Sequence, residues 1–144
     1  MDTPQFYTLK GYARGKGDVL TAAMEDYLEM ICRLSGKGKD PVRIRALSRQ
    51  LHVKPSSASK MVSNLREKGL IEAEKYGEIR LTPAGEALGE YLLYRHALLH
   101  RFFCYLNQTE DELEQVEKIE HFVEEKTVRS IQAFLDGLEG VQKE

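Results

Sequence analysis

Six side chains of the kinds that bind divalent cations fall into three short strings of this 144-residue chain. They are Asp26 and Glu29 in MEDYLEM, His96 in LLYRHALL, and Glu117, Glu120 and His121 in VEKIEHFV. Singly, each string reads most simply as ordinary structure. An acidic pair three residues apart is usually a solvated helix face, and a lone histidine beside an apolar stripe is usually a satisfied core residue. Together they place four carboxylates and two imidazoles in one chain. Such groups packed close together repel unless a cation neutralises them. One or two divalent ions would do so, which makes a metal site a better reading than an ion-pair network.

Helices can aim these groups at one point. At 3.6 residues per turn, Asp26 and Glu29 lie about 60° apart, opposite the stripe of Met24, Tyr27, Leu28, Ile31 and Leu34. Glu117, Glu120 and His121 span an arc of about 100°, turned away from Val116, Ile119 and Val123. His96 sits on the flank of the stripe Leu88, Leu92, Leu99 and Leu106.

The chain between the first and second strings has a different chemistry. The net charge of −2 conceals nine Lys or Arg against four Glu over residues 42–80, and eleven Asp or Glu against four Lys or Arg over 107–144. A basic middle is the electrostatic footprint of a polyanion. Its pattern predicts a short helix marked by Ile44, Leu47 and Leu51, a turn at His52–Lys54, and a helix opened by Pro55 and ended by Gly69. A two-stranded hairpin around Tyr76-Gly77 follows. Thr82 and Pro83 then start a long helix to about Leu106, and helices over 111–125 and 128–138 complete the chain.

Two short helices, a longer one and a hairpin spell a winged helix-turn-helix. The outer side of its third helix carries Ser56, Ser57, Ser59, Lys60, Ser63 and Asn64, short polar groups able to reach base edges, with one lysine for phosphate. Arg43 and Lys54 add charge, and Lys75 and Tyr76 stand at the hairpin tip. The fold class expected is therefore mainly α. A flexible arm over 1–18 precedes a winged helix-turn-helix DNA-binding domain over 19–90 and an all-helical metal-binding and dimerisation domain over 91–144. Cys32 and Cys104, without CxxC spacing, read as reduced thiols of a cytoplasmic protein, and no apolar run approaches the roughly 20 residues that span a bilayer.

The segments MEDYLEMI, VKPSSASKMVSNL, EKYGEIRLTPAGEALG, LLYRHALLHRF and VEKIEHFVEE resemble the diphtheria toxin repressor family, and more closely its manganese transport regulator branch. The resemblance covers about residues 20–138 and implies a homodimeric, metal-activated repressor of metal-uptake genes that binds palindromic operator DNA. By matching position it assigns Asp26, Glu29, His96, Glu117, Glu120 and His121 as ligands of a binuclear Mn²⁺ site. Glu29 and Glu120 would bridge, with His96 on one ion and His121 on the other. Iron-responsive members of the family carry Met in place of Asp26 and Cys in place of Glu117, so harder oxygen donors favour Mn²⁺ here, although other divalent ions also bind such a set. The chain ends at Glu144, without length for the SH3-like third domain of larger members, and the resemblance gives His100 no ligand role. Two rivals stand beside this reading. In a winged-helix regulator answering an organic ligand, the carboxylates would be surface. A di-metal carboxylate enzyme is disfavoured by the hairpin, the basic helix and the lack of an ExxH pair.

Overall fold

The computed structural model describes residues 20–73 and 77–142. The arm expected over 1–18, and Lys75 and Tyr76 at the hairpin tip, lie outside the described residues. The elements are α1 (Ala22–Leu34), β1 (Val42–Arg43), α2 (Ile44–Leu51), α3 (Pro55–Glu67), β2 (Ile71–Ala73), β3 (Glu78–Leu81) and α4 (Pro83–Asn107). Then come α5 (Leu113–Ile119), a 3-10 turn (Glu120–Phe122) and α6 (Glu125–Gln142).

Local chemistry sets most of these boundaries. The Thr21 hydroxyl accepts from Met24 N–H at 3.1 Å and starts α1. Helix α2 ends at His52, whose φ of 56° is left-handed, and Val53 N–H closes the turn onto the Ser48 carbonyl at 3.0 Å. Helix α3 has Pro55 in its first turn and is followed by Gly69 at φ 74°. Thr82 accepts from Gly85 N–H at 3.1 Å to cap α4, and donates its own hydroxyl to the Gly69 carbonyl at 2.7 Å. One side chain thus joins the end of the third helix to the start of the fourth.

The sheet has three antiparallel strands in the order β1-β3-β2, not the two expected. Val42 pairs with Ile79 and Arg43 with Glu78, while β2 runs against β3 from Ile71 opposite Leu81 to Ala73 opposite Ile79. Two residues are too few to show alternation, and burial of Val42 against Ile79 accounts for the added strand.

Leu28, Ile31, Leu47, Leu65, Ile71, Ile79 and Leu92 are fully buried and form the main core. A smaller one gathers Leu98, Val128 and Leu135, with Phe102, Val123, Ile131 and Leu138 packed against it. Helix α4 serves both and runs unbroken through the expected boundary at residue 90. The C-terminal elements differ from expectation. The helix expected over 111–125 stops at Ile119, tightens into the 3-10 turn and ends at an extended Val123, which packs on the second core. The helix expected over 128–138 is longer at both ends. Leu106, expected on the buried stripe, is 54% exposed.

Candidate metal centre

Helix α1 crosses α4 closely at one point. A Cβ on Gly89 would lie 3.0 Å from both Cβ and Sγ of Cys32, so a side chain there would push the helices apart. Seven residues, two turns, along α4 from Gly89 brings His96 to the same face, and Glu25 and Glu29 stand on α1 before Cys32. This crossing buries Glu29 to 7% exposure, against the expectation that the pair would stand opposite the apolar stripe. Asp26 keeps 42% of its side-chain surface. The 3-10 turn delivers Glu120, fully buried, and His121 to the same place.

The imidazoles organise the cluster. His96 Nδ1 lies 2.6 Å from Glu120 Oε2, 3.6 Å from Glu117 Oε1 and 3.8 Å from Glu29 Oε1. His121 Nε2 lies 2.9 Å from Asp26 Oδ1 and 3.7 Å from Glu120 Oε1. Among the described residues, two sets of donor atoms lie within 4.8 Å of one another: Asp26, Glu120 and His121, and Glu29, His96 and Glu120. Glu120 belongs to both sets, Glu29 to one, and Glu117 sits at the rim with 55% of its side chain exposed.

The electrostatics match a crowd of anions. Burial, with the Glu120 carboxylate next in strength, pushes the pKa values of Glu29 and Glu117 up. Burial also raises Asp26, against the pull of His121. The hydrogen bond to Glu120 raises His96. Glu120 Oε1 is buried and has no hydrogen-bond partner, a costly state for a carboxylate oxygen. Carboxylates and imidazoles at these separations, with an orphaned buried oxygen at their centre, fit a hard or borderline divalent cation. Glu29 and Glu120 are buried, which is at odds with the surface carboxylates that an organic-ligand regulator would have.

Two charged residues here carry roles that the sequence reading did not assign. Arg95 is buried at 4% exposure, on the stripe of Leu92 and Leu99, and its Nη2 lies 3.1 Å from Glu25 Oε1. The same oxygen is 2.9 Å from His121 Nδ1. The available signal was an arginine on the buried phase of an apolar helix, which requires an anionic partner. Arg33 pairs with Glu29 at 3.0 Å. His100 stands apart from both sets, 3.6 Å from Cys104 Sγ and 3.6 Å from Asp111 Oδ1.

In the DNA-reading half, Lys54, Ser56, Ser57, Ser59 and Lys60 are exposed on or just before α3, on the side away from buried Ala58, Val62 and Leu65. Ser63 is half-buried. Asn64 is half-buried and lines a groove with Leu20, Met24, Leu70 and Leu88. Arg43 lies across from Glu78, 3.8 Å away, with 69% of its side chain exposed. No described helix is long and apolar enough to cross a membrane.

Two family models match the chain in succession. Residues 19–79 match the iron dependent repressor, N-terminal DNA binding domain, and residues 82–140 match the iron dependent repressor, metal binding and dimerisation domain. The chain is 40% identical over 102 residues to the HTH-type transcriptional regulator MntR of Lysinibacillus sphaericus, covering 70% of this chain and 73% of that one. It is 35% identical over 139 residues to the regulator of the same name from Bacillus pumilus, covering 85% and 92%. The solved structure of the manganese regulator SloR superposes with a TM-score of 0.69 at 26% identity, over 81% of this chain but 55% of that one. The chain belongs to the iron-dependent repressor family and is a transcriptional regulator, not an enzyme.

Proposed function

We propose that this protein is a cytoplasmic, Mn²⁺-activated repressor that binds palindromic operator DNA as a homodimer and controls metal-uptake genes. The observation that carries the reading is Glu120: fully buried, shared by two donor triads, and with an oxygen that no protein group satisfies. Asp26, Glu120 and His121 would hold one ion, and Glu29, His96 and Glu120 the other, with Glu117 at the rim of the second. A bound divalent ion supplies the positive charge that lets these carboxylates stay ionised together. Asp26 and Glu29 extend from α1 in the DNA-reading half, whereas Glu117, Glu120 and His121 come from the C-terminal half. Drawing both sets to one point fixes α3 relative to the dimer. Two third helices must be held about 34–36 Å apart to meet successive major grooves. The free energy for this is the difference in metal affinity between the open and closed arrangements. Tyr105, Leu106, Leu113, Phe122 and Phe134, all exposed in the C-terminal half, supply an apolar surface for the second protomer.

Calorimetric titration of the metal-free protein with Mn²⁺ tests the reading. Two ions per protomer are expected, with heats that vary with buffer ionisation, because imidazoles and carboxylates bind metal only when deprotonated and release whatever protons they hold as metal enters. Absence of saturable Mn²⁺ binding would refute it. On the DNA face, Lys60→Ala is expected to weaken specific and random duplexes by the same factor, and to reduce the salt slope of binding by about 0.9. Binding titrations on both duplexes at several salt concentrations check this. A loss confined to the specific duplex would place Lys60 on base edges instead of phosphate.

A further inference from the structure

His121 offers one nitrogen to the donor cluster and keeps the other for a different partner. Its Nε2 faces Asp26 Oδ1 at 2.9 Å and Glu120 Oε1 at 3.7 Å, while its Nδ1 faces Glu25 Oε1 at 2.9 Å. A neutral imidazole carries a single N–H, so an acceptor at one nitrogen frees the lone pair of the other. Glu25 is not in either set of mutually close donor atoms among the described residues. Its own position is set from α4, since Arg95 Nη2 binds the same Oε1 at 3.1 Å and the Arg95 side chain is buried. A carboxylate on the far side of a ligating histidine, held by a buried guanidinium, is the arrangement that orients metal ligands elsewhere.

Resting on the metal reading above, we propose that Glu25 and Arg95 are positioning residues: Glu25 accepts the Nδ1–H of His121 and leaves Nε2 free for the cation, and Arg95 holds Glu25 there. Glu25 stands one residue before Asp26, in a crowd of carboxylates that would drive an unpaired anion toward water. The guanidinium cancels that push. Because Glu25 is on α1 and Arg95 on α4, the same pair holds the two helices together before any ion arrives, so the histidine is already set.

The test compares the wild type with Glu25→Met/Arg95→Met and Glu25→Gln/Arg95→Met. Replacing both partners of a buried pair with apolar groups of similar volume is commonly tolerated, whereas removing one strands the other. In the metal-free protein carrying Asp26→Ala, which removes the competing carboxylate at Nε2, long-range ¹⁵N–¹H correlation of the neutral His121 ring is expected to show the Nδ1–H tautomer when Glu25 and Arg95 are intact. In that background the double methionine variant should show a mixture. By calorimetry with Asp26 in place, its Mn²⁺ affinity should fall by about 10- to 100-fold. Glu25→Gln/Arg95→Met keeps an amide oxygen as acceptor without a buried charge, and should recover the tautomer and most of the affinity. If the wild type binds Mn²⁺ and the double methionine variant matches it in tautomer and affinity, the positioning role is wrong. It is equally wrong if the methionine variant unfolds and the glutamine variant, folded, recovers neither property. A wild type that binds no Mn²⁺ would overturn the function proposed above instead.

Discussion

Glu120→Gln is expected to yield a folded protein that dimerises but no longer gains DNA affinity when Mn²⁺ is added. The substitution keeps volume and an acceptor oxygen toward His96 Nδ1, now 2.6 Å from Oε2, and removes the one charge shared by both donor triads. Loss of an outer partner alone typically costs a metal site 10- to 100-fold in affinity, so loss of the shared ligand should exceed about 100-fold. The metal-free variant should melt at or above the wild-type temperature, because its parent residue is a buried carboxylate among Asp26, Glu29 and Glu117 with one oxygen unsatisfied. Melting curves, sedimentation and gel shifts with and without Mn²⁺ measure all of this. A variant that keeps the full metal response would remove Glu120 from the centre of the site.

Asp26→Met with Glu117→Cys is expected to change which ion activates the protein. Both positions lie at the edge of the cluster, with 42% and 55% of their side chains exposed, so the exchange costs little core packing. Two hard oxygen donors become soft sulfur donors, which favours Fe²⁺ or Co²⁺ over Mn²⁺. Activation constants measured without oxygen should shift the Co²⁺ to Mn²⁺ ratio by about tenfold or more, equivalent to about 1.4 kcal/mol between the two ions. An unchanged ranking would mean that the cavity, rather than the donor atoms, selects the metal.

Where a residue's chemistry acts within a turn or two of itself, the sequence already shows the outcome. Pro55 at the start of α3, Gly69 after its end and Thr82 before Pro83 each stand where their backbone or side chain is needed. The candidate donors were legible as residue types because their strings stand beside the apolar periods of α1, α4 and α5. What escaped depended on partners distant in the chain. Val42 and Arg43 become a strand only because β3 lies beside them. The run VEKIEHFVEE has helical composition throughout, and its tightening at Glu120 follows from Val123 turning into a core built by Leu98 and Val128. Counting helical phases across that break gave a direction for Glu120 and His121 that a 3-10 turn does not keep. Glu25 and Arg95 are 70 residues apart, so the buried phase of Arg95 signals a missing anion without saying which one.

A cation held by Asp26, Glu29, His96, Glu117, Glu120 and His121 should raise affinity for DNA, and the function proposed for this protein depends on that coupling. The most direct measurement is fluorescence anisotropy of a duplex selected from a random pool with the wild-type protein in Mn²⁺, titrated with protein in Mn²⁺ and again in chelator. Tighter binding in Mn²⁺ by about 5- to 150-fold, the usual range of coupling between two sites, is the predicted result. Equal affinity in Mn²⁺ and in chelator would contradict it.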